Sequence, residues 1–131
     1  MALIALDASV VIALLNPVDA HHASAQAALL DHADDDLRIP AHALAESLVH
    51  PARAGKEREA MALIAALEIA VDPVDQQVAV AAARLRAKHT GALRMPDALV
   101  LAYGEVRKAK TILTADSRWL KWSRRARVLD Q

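Results

Sequence analysis

Apolar positions along this chain come in two rhythms. Short unbroken runs, Leu3–Leu6, "LRIP" ending at Pro40, "IAV" before Asp72 and "TILT" within "TILTAD", have the form of strands buried on both faces. Between them, apolar residues recur at three- and four-residue spacing, as on helices. The first helix is predicted over Val10 to Leu15, with Asp7 and Ser9 as candidate caps and Pro17 as its stop. Asp19 can cap a second, in which Ala20, Ala23, Ala27 and Leu30 share a face before the polar run Asp31 to Asp36. Further helices are predicted over Ala41 to about Ala54, over Lys56 to Leu67, and from the cap Asp75 to about His89, with Gly55 and Gly91 as breaks. Pro96 and Asp97 open the last long helix, "DALVLAYGEVRKA"; "SRWLKW" is a short helical piece and "ARVL" a final strand. Strands this short, alternating with helices of ten or more residues, pair in parallel. The expected fold is α/β, a central parallel sheet of about five strands flanked by helices on both faces. No repeat, linker or low-complexity segment divides it, so residues 1–131 read as one domain.

Composition narrows the chemistry. The chain is 55% hydrophobic, yet lacks Phe and carries only Tyr103, Trp119 and Trp122 as aromatics, so its core is built from small aliphatic side chains. Without cysteine there is neither a disulfide framework nor a thiolate metal site, which suits a reducing cytoplasm. The longest uncharged stretch, Ala8 to Val18, is far short of the roughly 20 residues a bilayer-spanning helix needs, and no basic segment precedes it. The expectation is a cytoplasmic protein with no membrane contact.

Formal net charge is zero, which argues against nucleic-acid binding by overall charge. The signs are nevertheless uneven. Arg107, Lys108, Lys110, Arg118, Lys121, Arg124, Arg125 and Arg127 stand against Asp116 and Asp130 in the C-terminal segment, a solvated helix and tail or a phosphate-contacting patch.

Four acids are placed for one rim. In open α/β sheets, ligands bind beyond the carboxyl ends of the strands, where strand order reverses. Asp7 directly follows the first predicted strand, Asp116 follows the fourth, Glu46 lies in the helix after the second, and Asp97 sits at a helix start. Each alone has an ordinary reading as a cap, a first-turn acid or a surface residue. Together, four carboxylates without basic partners would repel and raise one another's pKa values, and a divalent cation relieves that. Oxygen-only ligation points to Mg²⁺ or Mn²⁺.

"LDASVVIALL", "PAHALAESLVH", "RMPDALVLAYG" and "ILTADSRWL" resemble, in order, the acid-bearing segments of PIN-domain nucleases, in particular the VapC-like toxins of bacterial type II toxin-antitoxin pairs. The resemblance covers essentially the whole chain. It implies a single PIN-like domain, with Asp7, Glu46, Asp97 and Asp116 as the catalytic acid cluster and metal site. Asp7 and Asp97 would be the direct ligands, with the Ser9 and Thr114 hydroxyls orienting them. It further implies a Mg²⁺- or Mn²⁺-dependent endoribonuclease acting on RNA, with transfer RNA a common substrate among relatives. A cognate antitoxin covering the acidic groove and a homodimer complete the picture. The alternative is a catalytically silent PIN-like module that binds RNA or protein.

Other patterns fit less well. His42, Glu46 and His50 form a helical ladder resembling a zinc site, but the outer histidines would lie about 12 Å apart along the axis, Pro51 biases His50 away from helical geometry, and no fourth ligand is evident. A phosphoacceptor receiver would need adjacent acids after its first strand, where this chain has "LDAS". Phosphatases with an Asp-x-Asp pair are excluded by Ser9. His21, His22 and Asp34 to Asp36 read as solvated residues.

Overall fold

Strand β1, Leu3–Leu6, lies at the centre of the molecule, and Ile4, Ala5 and Leu6 are all fully buried. Successive strand residues point to opposite faces, so burial of all three means that both faces of the sheet are covered. The computed structural model describes residues 1–130; the predicted span 1–131 therefore ends one residue beyond it, at Gln131.

From β1 the chain runs through helices α1 (Ala8–Leu15) and α2 (His22–Asp31) to β2 (Asp36–Pro40). Helices α3 (Ala41–Arg53) and α4 (Glu57–Ala66) lead to β3 (Ala70–Asp72), and α5 (Gln76–Lys88) and α6 (Met95–Val106) lead to β4 (Thr111–Thr114). A 3₁₀ turn, Ser117–Lys121, precedes β5 (Ala126–Val128). All four strand pairings are parallel and the order is β3-β2-β1-β4-β5. The chain thus builds outward from β1 in one direction and then returns to build in the other. Its switch point lies between β1 and β4, where Ile4 to Leu6 pair with Thr111 to Leu113.

The α/β architecture and the five parallel strands are those expected from the apolar runs. Asp75 caps α5 as predicted, its side chain accepting from the Val78 amide. Gly55 and Gly91 sit at φ +70° and +94°, left-handed positions where the two helices preceding them end. Three local expectations change. Asp7 occupies the N-cap position of α1, but its side chain makes no capping bond, because it is turned to Ser9 and Thr114 instead. Asp19 does not directly precede α2, which begins at His22; its carboxylate accepts from the His21 amide in the turn before it. His50 stays helical, since α3 continues through Pro51 to Arg53, and the amide that Pro51 lacks costs one bond in the last turn only.

Packing centres on β1 and β4, with Val10 and Val11 from α1 and Val100, Leu101 and Tyr103 from α6 fully or almost fully buried. Each such side chain contributes about 1.5–3 kcal/mol. Helix α6 lies close against β4 at Gly104: a Cβ there would stand 2.3 and 2.6 Å from Ile112 Cδ1 and Cγ1. That close approach fixes the height of the helix whose first turn carries Asp97.

Candidate active site

Asp7 leaves β1 at the switch point and is 8% exposed. An ionised carboxylate so placed needs donors, and two hydroxyls supply them. Ser9 Oγ donates to Asp7 Oδ2 at 2.7 Å, and Thr114 Oγ1 donates to the same oxygen at 2.9 Å. Each hydroxyl is itself held from behind, Ser9 Oγ by the Ala115 amide at 2.9 Å and Thr114 Oγ1 by the Asp116 amide at 3.1 Å. Both protons converge on Oδ2, so Oδ1 has no side-chain donor among the described residues. Burial pushes the Asp7 pKa up, the two hydroxyls and the Ala8 amide pull it back in part, and Glu46 adds a small upward push.

Asp97 stands in the first turn of α6, behind Pro96. It is half-buried, and no hydrogen bond reaches its carboxylate from another side chain among the described residues. Its pKa is raised, first by burial and then by the charge of Asp7, with Asp116 adding to it; Arg94 and Arg118 act in the opposite direction. Asp116, just after β4, differs. Arg118 donates to both of its oxygens, Nε at 3.0 and 3.1 Å and Nη2 at 2.6 Å, and the Arg118 amide adds a bond of 2.9 Å. Hydrogen bonding to Arg118 holds this carboxyl below its ordinary range. Glu46 is exposed on α3, within electrostatic range of Asp7.

Asp97 therefore feels both Asp7 and Asp116, and Asp7 feels Glu46. The expectation that the acids lack basic partners fails at Asp116, because the 3₁₀ turn folds Arg118 back over it. Among the described residues, no three of His, Cys, Asp and Glu are arranged so as to hold a metal ion. The donor chemistry nevertheless fits a hard divalent cation: oxygen ligands only, no side-chain donor on Asp7 Oδ1 and no side-chain hydrogen bond to the Asp97 carboxylate among the described residues, and a repulsion of Asp97 by Asp7 and Asp116 that such an ion relieves.

The histidine ladder does not form a site. His42 Nε2 bonds the Pro96 carbonyl oxygen at 2.9 Å, tying the start of α3 to the turn that presents Asp97. Three of the eight basic residues of the C-terminal segment are held in ion pairs: Arg107 with Asp72, Arg125 with Glu105 and Arg118 with Asp116. Sequence reasoning gave Asp72 no role beyond closing its strand. Its buried carboxylate accepts from Tyr103 Oη at 2.5 Å, Arg38 Nη1 at 2.8 Å and Arg107 Nη2 at 3.0 Å. Against the upward push of burial, Tyr103 and Arg38 hold its pKa low. Its local pattern, an apolar run ending in Asp, is the same one that singled out Asp7.

A five-stranded parallel sheet, with Asp7 and Asp116 just beyond the ends of its two switch-point strands, defines an α/β domain. The PIN domain model matches residues 4–125, and the chain belongs to the PIN domain family. Its fold is similar to a toxin-antitoxin complex from Klebsiella pneumoniae, at TM-score 0.79 and 18% identity over 98% of this chain and 97% of that one. It is also similar to VapC20 of Mycobacterium tuberculosis, described as a Sarcin-Ricin loop cleaving toxin, at TM-score 0.75 and 20% identity over 90% and 93%. VapBC2 from Rickettsia felis, bound to a promoter DNA fragment, gives TM-score 0.79 and 13% identity over 98% and 99%. No curated protein matches the chain by sequence. Among the described residues, no helix is long and apolar enough to cross a membrane.

Proposed function

We propose that this chain is a Mg²⁺- or Mn²⁺-dependent endoribonuclease, the toxin of a toxin-antitoxin pair, acting in the cytoplasm. The observation that carries the reading is the pair Asp7 and Asp97: two poorly solvated carboxylates of a PIN-family fold, Asp7 at the switch point and Asp97 close enough that the charge of Asp7 pushes its pKa up. A divalent cation, when bound, would supply activated water and neutralise charge on the phosphoryl oxygens.

In this reading the Asp7 carboxylate would hold the ion, while Ser9 and Thr114 fix its rotamer through Oδ2. Asp97 offers its carboxylate from the first turn of α6, where His42 steadies the backbone. Asp116 completes the set when Arg118 releases it. Glu46, on the solvent side, orients water. None of these groups reads a base, so substrate choice among RNAs, transfer RNA included, rests with the loops and cations around the site.

The likeness to toxin-antitoxin structures supports an antitoxin protein as partner; a homodimer is the assembly proposed. An apolar groove of about 730 Å³ between α2 and α4, lined by Leu29, Leu30, Leu37, Leu63 and Leu67, suits a partner helix. It lies apart from the four acids, none of which lines it.

The test is incubation of the purified protein with total RNA in Mg²⁺, in Mn²⁺ and in EDTA, beside Asp7→Asn. The expected result is cleavage that needs metal and is lost in the variant. Cleavage that persists in Asp7→Asn overturns the assignment of the site, and its absence from the wild type under all conditions leaves the silent binding module.

A further inference from the structure

The Arg118 guanidinium occupies both carboxylate oxygens of Asp116. Three side-chain contacts of 2.6 to 3.1 Å engage both carboxylate oxygens, and the backbone amide of the same residue adds a fourth. Arginine is the side chain best matched to this fork, with two donors spaced for two oxygens. Its influence also reaches Asp97, whose charge it partly offsets. In the chain as it stands, then, a single positive group serves two of the acids assigned to the site.

That arrangement is held loosely. The Arg118 side chain is 52% exposed, that of Asp116 27%, and the two residues are only two positions apart on an open 3₁₀ turn. Exposed pairs of this kind are weak and salt-sensitive, because water solvates the guanidinium almost as well as its partner does. A divalent ion brings twice the charge to the same oxygens. Asp7 has no such substitute, since its donors are neutral hydroxyls.

We infer that Arg118 is a built-in counter-cation of the acid cluster, a latch that a divalent metal must displace from Asp116 before the site is complete. The inference rests on the reading of Asp7, Asp97 and Asp116 as the metal-facing acids. Its consequence is an intrinsic brake: metal affinity is set by competition with the chain's own guanidinium as well as by the carboxylates. Once released, Arg118 stays at the rim of the site, where a phosphate can take the place of Asp116.

The test is Mn²⁺ binding to the full chain, measured by calorimetry and by electron paramagnetic resonance of free Mn²⁺, so that no nuclease activity is required. Arg118→Met keeps the aliphatic stem and removes the charge; it is expected to bind Mn²⁺ about 3- to 10-fold more tightly than wild type. Arg118→Lys, with a point charge but no fork, falls between them. Asp116→Asn is expected to weaken binding in both backgrounds, but about 3- to 10-fold less in wild type than in Arg118→Met, because in wild type the loss of the ligand is partly offset by the loss of the competing pair. Unchanged or weaker affinity in Arg118→Met overturns the latch. If that happens while Asp7→Asn and Asp97→Asn still abolish binding, the metal site stands without the latch; if no form binds Mn²⁺, both fall. Circular dichroism checks that each variant is folded.

Discussion

Thr114 Oγ1 donates to Asp7 Oδ2 across the junction of β1 and β4, a 2.9 Å bond between residues 107 positions apart. It joins the two central strands at the point where the sheet reverses its order of construction. The same hydroxyl accepts from the Asp116 amide, so one side chain fixes the rotamer of one acid and the backbone of another.

Replacing Thr114 with Val keeps the shape and removes that proton. Asp7 is then left with Ser9 as its hydroxyl donor, and its pKa, already raised by burial, climbs further. A carboxyl whose folded pKa lies above its unfolded value stabilises the fold at low pH and loses that contribution as pH rises through the folded value. Thr114→Val is therefore expected to cost roughly 1–3 kcal/mol near pH 7 and less near pH 4, with Thr114→Ser restoring most of it. Urea denaturation at the two pH values checks this. An equal loss at both would show that Thr114 acts through packing rather than through Asp7.

Asp72 responds to acid in the opposite sense. Tyr103 and Arg38 hold its carboxyl low despite burial, so its contribution is present above the ordinary carboxylate range and is lost as pH falls through the depressed value. Asp72→Asn is expected to destabilise by about 1–3 kcal/mol at pH 7, and the gap to wild type should close on acidification. Thermal melts from pH 7 down to pH 2 follow it; a gap that widens in acid would contradict the assignment.

These two aspartates also show what the sequence can and cannot carry. Strands, helices and breaks were legible because their signals are local: unbroken apolar runs, helical spacing, Asp75 three residues before the amide it caps, and glycines at the ends of α3 and α5. The position of Asp7 at a strand end was legible in the same way. Its partners were not, since Thr114 meets it only when β4 pairs beside β1. "IALD" and "IAVD" are almost the same string, yet Asp72 is neutralised by Arg38, 34 residues earlier, and by Tyr103 and Arg107, over 30 residues later. Only the sheet order tells a strand-end acid at the switch point from one on an edge strand. Arg118 is two residues from Asp116, but its direction depends on the 3₁₀ turn between them, which apolar periodicity does not specify.

Gly104 was likewise silent in the sequence. A methyl group there would fall 2.3 Å from Ile112 Cδ1 and 2.6 Å from Cγ1. The helix-propensity gain of alanine, about 1 kcal/mol, is outweighed by overpacking of about 1–3 kcal/mol between two buried elements. Gly104→Ala is expected to be destabilised, and Ile112→Val, by removing the nearer carbon, to recover part of the loss in the double variant. Additive losses in the double-mutant cycle would show that Ile112 is not the obstacle.

Asp97 offers the sharpest separation of stability from metal binding. Its carboxylate is half-buried, without a side-chain hydrogen bond among the described residues, and pushed up in pKa by burial and by Asp7. Like Asp7, it stabilises the metal-free protein below about pH 4 and ceases to do so as pH rises through its folded value. Asp97→Asn removes that ionisation, so without metal at neutral pH the variant is expected to melt at or above wild type, with the order reversing in acid. Added Mn²⁺ should reverse the order again at neutral pH: a ligand at 100 times its dissociation constant stabilises the wild type by about 2.7 kcal/mol, and the variant, lacking a charged donor, gains little. Differential scanning calorimetry with EDTA and with Mn²⁺ measures both halves. A metal-free Asp97→Asn protein that melts well below wild type at pH 7 would place Asp97 among the structural acids with Asp72. Equal stabilisation of both proteins by Mn²⁺ would move the cation away from the switch point altogether.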